Sequence, residues 1–316
     1  MVCGDIITFL SNFVNMKIAV LLTCFNRKTK TVSCLDSLFR VLECYNKNPI
    51  YELIELSVFL VDDGCTDGTV DAVKEKLKEK PIYIIQGTGS LYWSRGMCLA
   101  WEESLKRDEK WDFFLLLNDD VELLNNLFEE LLATHQYSLK KYGCGGLYSG
   151  VTTSKTDYSK MTYGGNVWVN RFLGTSERLN PTGTPQLCDM VNANILMVDS
   201  CVVEKNGVFW NGYEHGASDY DYSLMARKAG FPVLITSHFC GRCDDDHKAK
   251  EDIKHFILNA TFKERKKYFN HPVHSNKDQL TYIRRNVPFR YPFVYIGRFL
   301  NLYFPKLYYW LSDIIR

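Results

Sequence analysis

"WDFFLLLNDDVELL", residues 111–124, sets the reading of the whole chain. Five consecutive apolar residues, 113–117, run without a polar break into Asn118, Asp119 and Asp120. A strand that is apolar on both faces belongs inside a parallel sheet covered by helices on both sides. Two adjacent carboxylates have no place in such a core, so they mark where the strand leaves it. In open sheets of this kind ligands bind beyond the carboxyl ends of the strands.

The flanking sequence repeats the pattern. "KIAVLLTCF" (17–25), "ELSVFLVDDG" (55–64) and "PIYIIQG" (81–87) read as further buried strands. Between them, "TKTVSCLDSLFRVLECY" (29–45) carries Val32, Leu35, Leu38, Phe39 and Leu42 at helical spacing, and "TDGTVDAVKEKLKEK" (66–80) and "GMCLAWEESLKRD" (96–108) are helical as well. The alternation predicts an α/β fold with a mostly parallel central sheet and helices on both faces. Its strand ends bring together Thr23 to Arg27, Asp62 and Asp63, Gln86 and Gly87, and Asn118 to Asp120. Two acid pairs at one rim repel each other unless a positive group or hydrogen bonds hold them. A hard divalent cation, Mn²⁺ or Mg²⁺, shared with phosphate is the economical solution.

Composition narrows the function classes. The chain of 316 residues has 46% hydrophobic and 24% charged residues and a net charge of +1. That balance excludes a general nucleic-acid binder, which needs a basic surplus to displace counterions. The eleven cysteines are scattered through strands and helices and read as reduced thiols of a cytoplasmic protein. Cys240 and Cys243 form a lone CxxC, a weak zinc signal without a second pair. The loop "TCFNRKTK" (23–30) has no glycine, which removes a dinucleotide fingerprint, and no P-loop occurs. Residues 1–15, with a short apolar stretch and no basic n-region, read as an N-terminal extension.

The order of motifs resembles the family-2 glycosyltransferases, which have the GT-A, nucleotide-diphospho-sugar transferase fold. The similarity runs from about Lys17 to about His247 through "VLLTCFNR", "FLVDDGCTDGT", "GTGSLYWSRGMCLA", "LLLNDDVEL", "VNANILMVDSCVVEKNGVFW" and "GASDYDYSLMARKAGF". "GSLYW" together with "LLNDDV" is similar to bacterial rhamnosyltransferase-like members that build cell-surface polysaccharides. The resemblance implies an inverting, metal-dependent transfer from a UDP- or dTDP-linked sugar to a saccharide or lipid-linked saccharide. It carries Asp120 over as the metal ligand, with His238 as a second. Donor contacts fall to Thr23, Phe25, Asn26, Arg27, Asp62, Asp63, Gly87, Asn118 and Asp119; Trp93, near the donor, suits stacking on a sugar or base and equally a place in the core, and Arg95, where the closest relatives have a small residue, is added from its charge alone as a partner of the diphosphate. Asp219 matches the family's base, which takes the proton of the attacking hydroxyl. His215 and Asp221 fall on the acceptor side; Asp221 equally suits a helix N-terminus. Asn118 and Ser218 depart from the family pattern, where Asp and Glu are usual. That leaves room for a catalytically silent sugar-nucleotide-binding or scaffolding protein; a nucleotidyltransferase would want a basic, glycine-rich first loop.

The implied organisation is a GT-A domain at 16–250, with a nucleotide half to about 122 and an acceptor-side half beyond, followed by a helical appendage at 251–316. Residues 282–316 hold six Arg or Lys, many aromatics and the single acid Asp313. That composition suits either a helix lying on an anionic membrane surface or a helix packed on the domain. The first places the protein at the inner face of the cytoplasmic membrane; a homo-oligomer is compatible with the second.

Overall fold

The computed structural model describes residues 15–245 and 249–315, so the expected N-terminal extension lies, apart from Asn15, outside the described residues. The nucleotide half alternates as the sequence predicts: β1 (Met16–Cys24), α1 (Lys28–Lys47), β2 (Ile54–Asp62), α2 (Thr69–Lys76), β3 (Ile82–Gln86), α3 (Tyr92–Leu105) and β4 (Phe113–Leu117). The chain continues through β5 (Glu122–Leu123), α4 (Leu127–Tyr142), β6 (Leu147–Thr153), β7 (Met161–Tyr163), β8 (Gly165–Asn170) and β9 (Thr175–Arg178). Then come β10 (Gln186–Leu187), β11 (Met190–Val191), β12 (Ile195–Asp199), α5 (Ser200–Asn206), α6 (Ser218–Lys228) and β13 (Val233–Arg242).

The main sheet has the order β10-β13-β6-β12-β4-β1-β2-β3. β1 to β4 pair in parallel, as do β6 and β13, while β12 runs antiparallel between β4 and β6. β8, β9 and β11 form a separate three-stranded sheet. The apolar run at 113–117 is explained by its position: Phe113, Leu115 and Leu117 pack with Leu35, Leu38 and Leu131 of α1 and α4. On the opposite face, Phe114 and Leu116 pack with Met97 and Trp101 of α3 and Tyr222 of α6. Burial of each such large side chain stabilises by about 1.5–3 kcal/mol.

Two helices start earlier than the sequence pattern suggests. α3 begins at Tyr92, because the Asp63 carboxylate, 29 positions upstream, accepts the Leu91 and Tyr92 N–H groups at 2.9 and 3.0 Å. A cap supplied from another loop leaves no local signature. α6 begins at Ser218, which puts both Asp219 and Asp221 in its first turn. β13 runs past the expected "PVLITSH" to Arg242 through register shifts around Phe239.

The C-terminal helices are α7 (Lys250–Asn259), α8 (Phe262–Asn270), α9 (Asn276–Asn286), α10 (Tyr291–Tyr303) and α11 (Pro305–Ile315). Tyr282, Ile283 and Val287, on α9 and just beyond it, are buried with Met190 and Tyr213. Arg285 reaches both oxygens of the buried Asp221, Nε at 3.1 and 3.2 Å and Nη2 at 3.0 Å, and Asn286 adds a bond of 2.5 Å. An ion pair so enclosed ties α6 to α9 in one geometry. The basic-aromatic segment therefore divides. Its beginning packs into the domain, whereas α10 and α11 turn Phe293, Ile296, Phe299, Trp310 and Ile314 outward, Phe293 being 75% exposed. Among the described residues no helix is long and apolar enough to cross a membrane.

Candidate active site

A cleft of about 840 Å³ opens at the carboxyl ends of β1, β2 and β4. Of the donor residues expected from the sequence, Thr23, Phe25, Arg27, Asp63, Trp93, Asn118 and Asp119 line it. So do Asp219 and His215. Thus the acid-bearing end of β4 and the expected base share one cavity.

The donor wall is held by hydrogen bonds and by close backbone approaches. Asp63 is 4% exposed, and its carboxylate accepts the N–H groups of Gly89, Leu91 and Tyr92 at 2.8, 2.9 and 3.0 Å. Gly64, at φ +86°, lies so near this loop that a Cβ would come within 2.9 Å of the Gly89 Cα. A Cβ on Gly87 would meet the Asp63 carboxylate, also at 2.9 Å. Gly87 thus shapes the wall without lining it. Asp62 and Asn26 likewise hold loops: Asp62 accepts the Cys65 N–H at 2.7 Å and Asn26 the Thr66 N–H at 2.7 Å. Replacing Asp63 with Ala removes the acceptor of three partly exposed N–H donors, so we expect a loss of roughly 1–3 kcal/mol in urea denaturation. Asp63→Asn, whose amide oxygen still accepts, should lose less. Equal midpoints for wild type and Asp63→Ala would contradict this role.

Behind β4, Arg27 supplies the positive charge that the acids require. Its Nη1 lies 2.9 Å from Asp119, its Nη2 contacts Asp120, and Lys30 approaches Asp120 at 3.9 Å. Thr31 donates to Asp119 at 3.0 Å. Burial pushes the Asp119 carboxyl up to about 6 although Arg27 pulls it down. Asn118, the departure from the family pattern, accepts a 2.7 Å bond from the Trp93 indole N–H. The amide there locks an aromatic ring to the rim.

For a divalent cation the hard oxygen donors of Asp120 and Asp119 fit, but both are paired with Arg27 here, and Asp119 lines the cleft while Asp120 stands just outside its lining. His238 does not join them. Its Nδ1 is bonded to Glu130 of α4 at 2.7 Å and its ring faces solvent, because the register shifts in β13 turn it away from the sheet interior. Arg95 is corrected too: it pairs with Glu214 at 3.3 Å and does not line the cleft. Asp221, expected on the acceptor side, is occupied by Arg285 and Asn286 and also lies outside the lining. A separate trio, Cys24, Asp62 and Cys65, comes within 4.8 Å, a sulfur-rich set unlike one for diphosphate. Cys240 and Cys243 are free thiols, Cys243 with its Sγ 3.6 Å from Asp120.

The opposite wall carries Asp219. One of its oxygens accepts the Ala193 N–H at 3.2 Å, the other the Tyr220 N–H at 2.9 Å. Burial raises its carboxyl to about 6, and those two donors work against the rise. A base with that value is ionised at neutral pH yet retains proton affinity. Ser218, where the family has Glu, is buried and bonded to Ser94 of α3 at 2.8 Å. Asn26, Tyr92 and Ala217 hold φ of 52°, 58° and 69°, the non-glycine residues with positive φ among those described. Tyr92, which opens α3, and Ala217, just before α6, line the cleft, and Asn26 stands beside it in the loop after β1; backbone strain concentrates at such places.

A third wall was not legible in the sequence. Pro272 to Ser275, Asp278, Gln279, Tyr282 and Arg298 from the C-terminal helices line the cleft. The Asp278 carboxylate gathers the N–H groups of Glu214, His215 and Gly216 at 3.1, 2.9 and 3.2 Å, so α9 fixes the loop leading to Asp219. "SNKD" (275–278) signals a capped helix start, and Ser275 does accept from Lys277 at 3.1 Å. Nothing in that pattern announces a partner 62 to 64 positions upstream.

Comparison with known proteins bears on the family and the fold. The family model described as glycosyl transferase family 2 matches residues 19–197. Among solved structures, the chain is similar to the mannosyltransferase PcManGT from Pyrobaculum calidifontis in complex with GDP-Man and Mn²⁺. The two share 14% identity and a TM-score of 0.50, with 92% of this chain and 71% of that one covered. It is also similar to S. aureus TarS 1–349 in complex with UDP-GlcNAc, at 14% identity, a TM-score of 0.47, and 87% and 73% coverage. No curated protein sequence matches the chain significantly. A family match over more than half of the residues, on a mixed α/β fold with a mostly parallel central sheet, makes this chain a member of glycosyl transferase family 2.

Proposed function

We propose that the chain is a metal-dependent, inverting transferase that moves a sugar from a UDP- or dTDP-linked donor to a saccharide or lipid-linked saccharide acceptor. The observation that supports this most is that Asp219 and the Asn118–Asp119 rim line one cleft. Phe25, 53% exposed at the end of β1, and Trp93 offer aromatic faces to a base or sugar. Arg27 and Lys30 bring positive charge to the diphosphate. Asp120, with Asp119 beside it, would hold Mn²⁺ or Mg²⁺, whose charge stabilises the leaving diphosphate. Asp219 takes the proton of the acceptor hydroxyl as that oxygen bonds to the anomeric carbon. Attack from the side opposite the breaking C–O bond to diphosphate inverts the anomeric centre.

The rhamnosyltransferase-like reading of "GSLYW" and "LLNDDV" points to bacterial surface polysaccharide as the product. The outward aromatic face of α10 and α11 supports peripheral contact with the inner face of the cytoplasmic membrane, now confined to residues 291–315. The test is a panel of UDP- and dTDP-sugars incubated with Mn²⁺ and candidate acceptors. Release of nucleoside diphosphate with a product of inverted anomeric configuration by NMR is expected. Retention of configuration would contradict the assigned role of Asp219.

A further inference from the structure

Arg298 lies on the inward side of α10, as Val294 and Asn301 do. While its neighbours on α10, Phe293, Ile296 and Phe299, face outward, Arg298 is half-buried and lines the cleft. Its guanidinium makes no hydrogen bond or ion pair with any other described residue. The titratable groups around it are the hydroxyls of Tyr268 of α8 and of Tyr308 and Tyr309 of α11, and burial pulls its own pKa down. The carboxylates that share the cleft are already engaged. Asp278 and Asp63 each hold three N–H groups, Asp219 holds two, and Asp119 is paired with Arg27 and Thr31.

A desolvated cation without a counter-ion is unfavourable, and the cleft is where an anion can reach it. The flat guanidinium fork matches two oxygens of a phosphate, and its donors are fixed in that geometry. The donor diphosphate has its own cations, Arg27 and Lys30, at the strand-end wall. Arg298 stands instead on the wall built by the C-terminal helices, with Ser275 and Gln279.

We propose that Arg298 forms a second anion site in the cleft, and that its ligand is a phosphate or diphosphate ester carried by the acceptor. This rests on the transferase reading of the cleft. Such an ester comes from one of two sources, a soluble sugar phosphate or a phosphate borne by a lipid. The exposed apolar face of the same helix makes the second source sterically accessible.

The test uses the full chain as wild type, Arg298→Gln and Arg298→Lys, with two probes: glucose 1-phosphate in solution, and dodecyl phosphate in phosphatidylcholine vesicles with undoped vesicles as blank. Wild type should bind at least one probe, Arg298→Gln should bind it about tenfold more weakly, and Arg298→Lys should fall between. Loss confined to the vesicle probe identifies a lipid-borne acceptor; loss confined to glucose 1-phosphate identifies a soluble one. Equal affinity in wild type and Arg298→Gln, or no binding of either probe by wild type, overturns the site. Nucleotide-sugar binding in the presence of Mn²⁺ should be unchanged in Arg298→Gln, and its loss would move Arg298 to the donor and overturn the assignment. Failure of wild type to bind any nucleotide sugar would instead strike the transferase reading itself. If Arg298→Gln fails to fold, Arg298→Lys carries the comparison.

Discussion

Asp219→Asn should lower kcat by about 10²- to 10⁴-fold, the usual contribution of a positioned base, while donor affinity stays near that of wild type. The hydrogen bonds of its carboxylate run to the Ala193 and Tyr220 N–H groups, away from the strand ends that frame the donor. Asn keeps the shape and one acceptor but cannot take a proton. The pH profile adds a separate check. Because the Asp219 carboxyl is raised to about 6, wild-type activity should fall on the acid side near that value, and that limb should reflect this group. The sign for stability follows from linkage. The folded-state value lies above the ordinary 3.8, so the folded protein binds this proton more tightly than the unfolded chain does. The group's contribution to stability is full below the ordinary value and is lost as pH rises through about 6. Asp219→Asn, neutral at every pH, should therefore melt near wild type at pH 7 while being nearly inactive, because relief of the buried charge offsets the one N–H that loses its acceptor. A variant that is both unstable and inactive would argue for a structural part instead.

Asp120→Asn should cost roughly 10³-fold in kcat, about 4 kcal/mol of transition-state stabilisation, if charge at the leaving diphosphate depends on this carboxylate. Chelation of wild type with EDTA should produce a similar loss, reversed by Mn²⁺, and the variant should gain little from added metal. Arg27 keeps Asp119 as a partner at 2.9 Å in the variant, so the loop after β1 should survive the change. Activity that persists in chelator would assign the diphosphate to Arg27 and Lys30 alone. The short contact between Arg27 and Asp120 makes that outcome a real alternative, since the same carboxylate oxygen cannot serve both at full strength.

What was legible in the sequence is what depends on short-range pattern. The run at 113–117 told of burial on both faces because each of its side chains needs a packed neighbour, and α1 and α3 supplied them. The acids at 119 and 120 followed from the same logic, since charge could only emerge where the strand ends. Arg95 and His238 misled for the converse reason. Their neighbours in sequence placed them near the motifs, but Glu214 and Glu130, distant in sequence, captured their side chains. Asp278 and Arg298 carried no local signal at all. Their roles depend on helices folding back over a cleft whose other walls end long before, and an acid at a helix start reads as a cap whatever it holds. Residues 282–315 looked uniform in composition yet split in two, because Arg285 found Asp221 and Tyr291 and Val294 found the core around Tyr282, while Phe293, Ile296, Phe299, Trp310 and Ile314 stayed on the outer face of α10 and α11.

The central claim is that the strand-end wall of the cleft binds a nucleoside diphosphate sugar through a metal. Isothermal titration of wild type with UDP- and dTDP-sugars, with and without Mn²⁺, tests it most directly. At least one of these donors should bind with Mn²⁺ present, bind far more weakly without it, and lose the metal dependence in Asp120→Asn. Binding of the same strength with and without Mn²⁺, or no binding of any donor, would contradict it.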